Sequence, residues 1–413
     1  MDRSAKRCGN RNPAADLTDD LVVEILSRLP AKSVCRFKCV SQHWLHDLIA
    51  HPNYRANLPQ TLTGFFRCID MPSPSDGSTM SSPDLASGDD DDDDEEDEDI
   101  ADEYDSGDDA PSVPDFVSIV KEHQVVSPSL SFLPSGLYRS VAPRHCSNGL
   151  LVCLCWKASP RNEADYVVCN PATEQWVVLP GNGHTDRSEM QLHLAVDPAS
   201  SSGHFHLFAL QKNEHGYLIG ADIYSSKTRA WSYSESGWVH EDMLCPVPHS
   251  VFFHGMLYFV TLSSTIVTVD TEGTTTWSTI SMQETMDDDY SSQMNAAFVG
   301  VSQGRLHYLA NRRSDESKLS VWVLGDDDEW TFKYNISTTS LFGAKLNDLG
   351  DYSLVAIHPE CSTIFFTVRA DNILLSYHMD RGEVRVLGSL ISYFDGWSRY
   401  PYLPYVPSFR SIA

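Results

Sequence analysis

No apolar run in this sequence approaches the roughly 18 residues needed to cross a bilayer. The longest, such as Leu150 to Trp156 and Met256 to Leu262, have the length of strands. Met1 to Pro13 is polar, with Arg3, Lys6, Arg7 and Arg11, and lacks the apolar segment of a secretory signal. Positive charge is scarce: 30 Lys+Arg stand against 57 Asp+Glu, a net charge of -27, and no Lys or Arg lies between Arg67 and Lys121. A folded duplex-DNA binder and an anionic-lipid surface both need clustered Lys and Arg, so neither nucleic acid nor membrane is an expected partner. The 10 cysteines contain no C-x-x-C pair and read as thiols of a reducing compartment, cytoplasmic and/or nuclear. Cys153 and Cys155 alternate along a strand as small buried residues. G-x-S-x-G, H-E-x-x-H and phosphate-loop sequences are missing, so no catalytic residue and no cofactor can be named. The 16 histidines are scattered; the close pairs His43/His46 and His204/His206 supply two ligands each, too few for a metal site. The expectation is a protein that is not an enzyme.

What is present divides into regions of different character. Residues 1–15 form a basic tail expected to be flexible. From Leu17 to about Leu58 the apolar spacing is helical: Leu17, Leu21, Ile25, Leu26 and Leu29 share one face, with Asp20, Glu24 and Arg28 on the other. Thr18 can cap this helix, Asp19 and Asp20 suit its first turn, and Pro30 stops it. Val34, Phe37, Val40, Trp44, Leu48 and Ile49 continue at spacings of three and four. Helices this short in about 45 residues enclose little core and call for an outside partner. Residues 61–115 are rich in Ser, Pro, Gly, Asp and Glu and are expected to be a disordered acidic linker. Between Asp89 and Asp109 there are 16 acids; without them 41 acids face 30 bases. Ser87 and Ser106 each have an acid three positions downstream, an acidophilic-kinase pattern.

From Phe116 onward a unit repeats: a Gly-led apolar strand, a loop, a second apolar strand, a polar turn, then a strand with Trp. Gly149, Tyr166 to Cys169, the turn Asn170-Pro171-Ala172-Thr173 and Trp176 form the first unit. Gly203, Gly220 to Tyr224 and Trp231 form the second; Gly255, Ile266 to Asp270 and Trp277 the third; Gly304, Leu319 to Leu324 and Trp330 the fourth. In the fifth, Cys361 replaces Gly and Val384 replaces Trp. Successive Trp (or Val) positions lie 55, 46, 53 and 54 residues apart. Apolar runs at 194–196, 251–253, 297–299 and 354–357 supply a fourth strand. A period of about 50 fits a propeller of four-stranded, kelch-like blades, with Trp packed between neighbours. The expected ring has six blades, the sixth assembled from Phe116 to Val141 with the tail Ser389 to Ile412; seven blades remain an alternative. Closure from both ends protects the sheet edges.

Leu17-Thr18-Asp19-Asp20-Leu21 through Ile25-Leu26-Ser27-Arg28-Leu29-Pro30, Val34, Arg36-Phe37-Lys38-Cys39-Val40-Ser41 and Trp44 resemble an F-box, with Thr18 where the family usually has Pro and Gln42-His43 where it has a basic pair. Cys146-Ser147-Asn148-Gly149-Leu150-Leu151, Cys169-Asn170-Pro171-Ala172-Thr173 with Trp176, and Tyr405-Val406-Pro407-Ser408 resemble the F-box-associated, kelch-like region of plant F-box proteins. The resemblance implies an α+β multidomain chain: an F-box over residues 16–60 and an all-β propeller over 116–413. It further implies a substrate-recognition adaptor of a Skp-cullin-F-box ubiquitin ligase, whose F-box holds a Skp-type adaptor and, through it, a cullin. The propeller then selects a protein substrate of unknown identity. Candidate adaptor-binding residues are Leu17, Leu21, Ile25, Leu26, Leu29, Pro30, Val34, Phe37, Val40 and Trp44. The alternative is a non-ligase scaffold that uses the acidic tract to bind basic proteins.

Overall fold

The computed structural model describes residues 17–27, 61–67, 114, 116–119, 130–134, 136–183, 190–197, 203–237, 243, 249–271, 276–280, 297–312, 315–342, 352–368, 373–389, 402–408 and 410–412. Helix α1 (Asp19–Ser27) opens the chain. The Val22 amide donates to the Thr18 carbonyl at 3.0 Å, so Thr18 closes the first turn and Asp19 and Asp20 sit at the positive end of the helix dipole. Of the six expected F-box residues beyond Ile25 and Leu26, namely Leu29, Pro30, Val34, Phe37, Val40 and Trp44, all lie outside the described residues.

The strands form a six-bladed propeller. Two short strands come first, β1 (Gly64–Arg67) and β2 (Phe116–Ser118). Blade one is β3 (Tyr138–Ser147), β4 (Leu150–Lys157), β5 (Ala164–Asn170) and β6 (Gln175–Val178). Blade two is β7 (Gln191–Val196), β8 (Phe205–Lys212), β9 (Leu218–Ser225) and β10 (Ala230–Glu235). Blade three is β11 (Ser250–Phe253), β12 (Met256–Val260), β13 (Ile266–Asp270) and β14 (Trp277–Ile280). Blade four is β15 (Phe298–Ser302), β16 (Arg305–Arg312), β17 (Asp315–Leu324) and β18 (Trp330–Ser337). Blade five is β19 (Tyr352–Ile357), β20 (Thr363–Val368), β21 (Ile373–His378) and β22 (Glu383–Ser389), and the chain ends on β23 (Tyr402–Tyr405). Within each blade consecutive strands pair antiparallel. β3, β7, β11, β15, β19 and β23 pack against one another in turn around the axis, so the first strand of each repeat is the innermost.

The repeat signature now has a physical reading. Asn148-Gly149, His254-Gly255 and Gln303-Gly304 all have positive φ, 46° and 81°, 48° and 81°, 51° and 70°. These are two-residue hairpin turns of the mirror-image type, which match the strand twist and favour Gly at the second position. The Gly that leads the strand in these three repeats is therefore a turn residue. The Trp of the outer strand ties its blade to the one before. Trp231 Nε1 donates to the Pro180 carbonyl at 2.8 Å, and Trp277 Nε1 to Ser234 Oγ at 3.0 Å. Trp330 packs into the cluster shared by blades three and four. Trp176 departs from the expectation and is 39% exposed. Its partner Cys169 packs toward the closing blade, in which three strands are described.

The closing blade differs from the expected assembly of Phe116 to Val141 with Ser389 to Ile412. Tyr138 to Val141 belong to the inner strand of blade one, and Ser389 ends the outer strand of blade five. The closing sheet is β2-β1-β23, and its middle strand comes from residues 64–67, inside the stretch expected to be linker. Phe65 and Phe66 are fully buried. Phe65 meets Phe365 of blade five at 5.2 Å between ring centroids, and Phe66 meets Phe116 and Tyr405 at 4.8 and 5.4 Å. Because successive strand side chains point to opposite faces, this pair seals both flanks of the closing blade. Residues 68–115, with the acidic run, are thus inserted between two neighbouring strands of the ring.

After β23 the chain crosses the turns of blades one and two. The fully buried Asn170 donates from Nδ2 to the carbonyls of Ser408 and Arg410 at 3.0 and 2.8 Å, while its Oδ1 accepts the Ala172 and Thr173 amides. Arg410 Nη1 donates to the Asp197 carbonyl at 2.6 Å. At Gly149 a Cβ would lie 2.6 Å from the Ser408 nitrogen, so the tail closes that position to any side chain. Three motifs far apart in sequence, around Gly149, Asn170 and Ser408, therefore form one clasp.

Candidate functional site

Two surfaces are candidates, a helix face and the centre of the ring. On α1 and the residues just before it, the expected apolar face is divided. Val22, Val23 and Leu26 are buried, whereas Leu17, Leu21 and Ile25 are 43%, 52% and 50% exposed. Leu21 and Ile25, four apart, fall on one side of the helix, and Leu17 precedes it by two residues. Of the candidate adaptor-binding residues, Leu26 thus belongs to the small interior, and Leu17, Leu21 and Ile25 face out.

At the centre of the ring is a cavity of about 680 Å³. The ends of the inner strands wall it, with His145 to Asn148 from blade one, Phe253 to Gly255 from blade three, and Pro404 and Val406 from the closing blade. Leu62, just before β1, is also on the wall. Two histidines fix its polar side. His145 accepts the Leu194 amide on Nδ1 at 3.1 Å, which places its proton on Nε2, 2.9 Å from Ser250 Oγ. One side chain thereby bridges blades one, two and three. Burial lowers its pKa from 6.5 to about 3, with His249 nearby acting in the same direction. His249 is lowered to about 4 by burial, against an opposing hydrogen bond to the Leu354 backbone. Behind His145, at 5.4 Å, lies His193, stacked on Phe259 at 5.4 Å. Neither His193 nitrogen has a hydrogen-bond partner among the described residues, and burial holds its pKa well below the ordinary value.

Thiol chemistry finds no support in this geometry. Cys153, Cys155 and Cys169 are fully buried between blade one and the closing blade. Burial pushes Cys146 up to about 12, and a Cys153 hydrogen bond followed by burial raises Cys169. Cys153 and Cys155 are the small core residues their alternation implied. Among the described residues no group of three or more His, Cys, Asp or Glu is placed to hold a metal ion. His204 instead lies 3.3 Å from Ser226 Oγ. No helix among the described residues is long and apolar enough to cross a membrane.

Residues 127–399 match the family described as F-box protein At3g26010-like, beta-propeller, and residues 15–46 match the F-box domain. The chain belongs to this family of F-box propeller proteins. The F-box protein At5g07610 of Arabidopsis thaliana is 26% identical over 365 residues, covering 83% of this chain and 76% of the relative. F-box protein At3g49450 of the same plant is 25% identical over 244 residues, 58% of this chain and 51% of the relative. F-box protein At2g15640, also of Arabidopsis thaliana, is 70% identical over 33 residues, 8% of each chain. In this F-box protein the motifs that carried the propeller resemblance turn out to be the closing clasp. The cavity was invisible in sequence because its wall is drawn from six strand ends, each unremarkable alone. The signal that could have marked it is His254-Gly255, where a polar aromatic residue takes a turn position beside apolar Phe253.

Proposed function

We propose that this F-box propeller protein is the substrate-recognition adaptor of a Skp-cullin-F-box ubiquitin ligase. The observation that carries the reading is the exposure of Leu21 and Ile25 on helix α1, whose other apolar residues are already buried, together with exposed Leu17 just before it. Three large aliphatic side chains exposed on a short module are a docking surface for a partner with a complementary groove. On this reading the Skp-type adaptor covers these side chains and links the chain to a cullin. The propeller holds a protein substrate, so that ubiquitin transfer profits from a raised local concentration rather than from chemistry on this chain. The compartment is the cytoplasm and/or nucleus, where such ligases find reduced partners.

The test is affinity purification of the full chain from cells with proteasome activity blocked, followed by mass spectrometry. Recovery of a Skp-type adaptor and a cullin, and their loss with the double variant Leu21→Asp/Ile25→Asp, is the expected result. Recovery of substrates with no adaptor or cullin peptides would overturn the reading in favour of a scaffold outside any ligase.

A further inference from the structure

We infer that the central cavity is a binding site for a small, uncharged, largely apolar molecule that carries hydrogen-bonding groups. The inference goes beyond the adaptor reading and does not depend on it.

Size is the first argument. A volume of about 680 Å³ lies within the ~300–1,000 Å³ of small-molecule sites. A single side chain reaching in from a partner would leave much of it unfilled.

The lining supplies the chemistry. Val251, Phe253, Val299, Val301, Ile357 and Val406 give apolar wall on several blades. Among the described lining residues there is no Lys, Arg or Glu, and the one acid is Asp197. Asp197 lies in the field of Arg410, whose guanidinium already holds its carbonyl. A phosphate or carboxylate ligand would therefore find no Lys or Arg on the wall, and burying an unpaired ion is strongly unfavourable. The polar groups that Ser250, His145 and His249 bring to the wall are neutral. Ser250 Oγ is held by His145, and burial keeps both His145 and His249 uncharged at physiological pH. The inner strands add backbone groups. Each is the edge of its sheet, so backbone groups on its outer side bond to partners other than a strand, as the Leu194 amide bonds to His145. An uncharged ligand with a carbonyl, amide or hydroxyl group can satisfy such donors and acceptors, and its apolar body can fill the remaining space.

The experiment titrates the purified full chain with the neutral naphthalene ketone prodan, reading the blue shift of its emission, and in parallel with the anionic naphthalene sulfonate ANS. Saturable one-to-one binding of prodan is expected, with ANS at least tenfold weaker. Val301→Trp, which fills the cavity, is expected to weaken prodan at least tenfold, while Val386→Trp, on the outer strand of blade five and 66% exposed, leaves it unchanged. If Val301→Trp loses cooperative melting, Val251→Trp fills the same space from blade three. Absence of saturable binding, equal affinity for ANS, or unchanged binding by a folded cavity-filled variant would overturn the inference. A chain that binds prodan but recovers no Skp-type adaptor would sink the adaptor reading alone, and the reverse result would sink this one alone.

Discussion

Gly149 and Asn170 are where single side chains decide whether the ring stays shut. Gly149 combines φ +81° with close approach of the tail, so Gly149→Ala meets both backbone strain and the Ser408 backbone. Asn170→Ala leaves the carbonyls of Ser408 and Arg410 without their donor and removes the acceptor of its own turn. Each substitution is expected to cost about 2–4 kcal/mol in urea unfolding. A loss below about 0.5 kcal/mol, the range of ordinary surface substitutions, would show that the clasp does not hold the ring. His193 behaves oppositely. It is a buried polar ring with no partner among the described residues, and with His145 and His249 it stays neutral when folded. Unfolded, each histidine titrates near 6.5, so below that value the unfolded chain takes up protons that the native ring refuses. The stability these groups contribute is complete above pH 6.5 and falls as pH drops toward the native values of about 4 and 3. His193→Phe keeps the stacking on Phe259 and removes one of the three. Its melting temperature is expected to fall less between neutral pH and about pH 5 than that of the parent, by about 2–4 °C per kcal/mol retained. An equal or larger fall would contradict the burial of a neutral His193.

At the scale of elements, the strand Gly64–Arg67 is the unexpected piece. The repeat of Gly, turn and Trp located five blades because those features are local: a mirror-image turn in three of the repeats, and in blades two, three and four an outer-strand Trp that ties the blade to the previous one. The closing strand carries neither signal. It is a four-residue segment beside a long acidic run, and its end pairs with a partner far away: Thr63 bonds Tyr405 across 342 positions. Periodicity reports neighbours along the chain and is silent on such pairings. The consequence is sharp. A chain of residues 60–413 keeps β1 and is expected to melt in one cooperative transition. A chain of residues 116–413 loses Phe65, Phe66 and the middle of the closing sheet, and is expected to melt lower and without cooperativity. Equal melting of the two would show that β1 is dispensable. Helix α1 was legible for the same reason the blades were. Its spacing is local, yet spacing could not divide Leu21 and Ile25 from Leu26, since burial within a small module depends on what packs behind it.

For the whole molecule, the direction of β1 in the closing blade sets which end the cavity occupies and at which end the chain leaves and re-enters the ring. Gly64 pairs with Tyr405 and Arg67 with Tyr402, so β1 begins at the end where Leu62 and Val406 wall the cavity and finishes at the other. The segment that holds 16 of the acids between Asp89 and Asp109 leaves and rejoins the ring at that far end, since Phe66 pairs with Phe116. The central claim is that the outward face of α1 docks a Skp-type adaptor. Isothermal titration of the purified full chain with a purified Skp-type adaptor tests it most directly. The account predicts saturable one-to-one binding, weakened at least tenfold by Leu21→Asp/Ile25→Asp while the propeller melts at an unchanged temperature. No binding by the parent chain, or the same affinity in the variant, would contradict it.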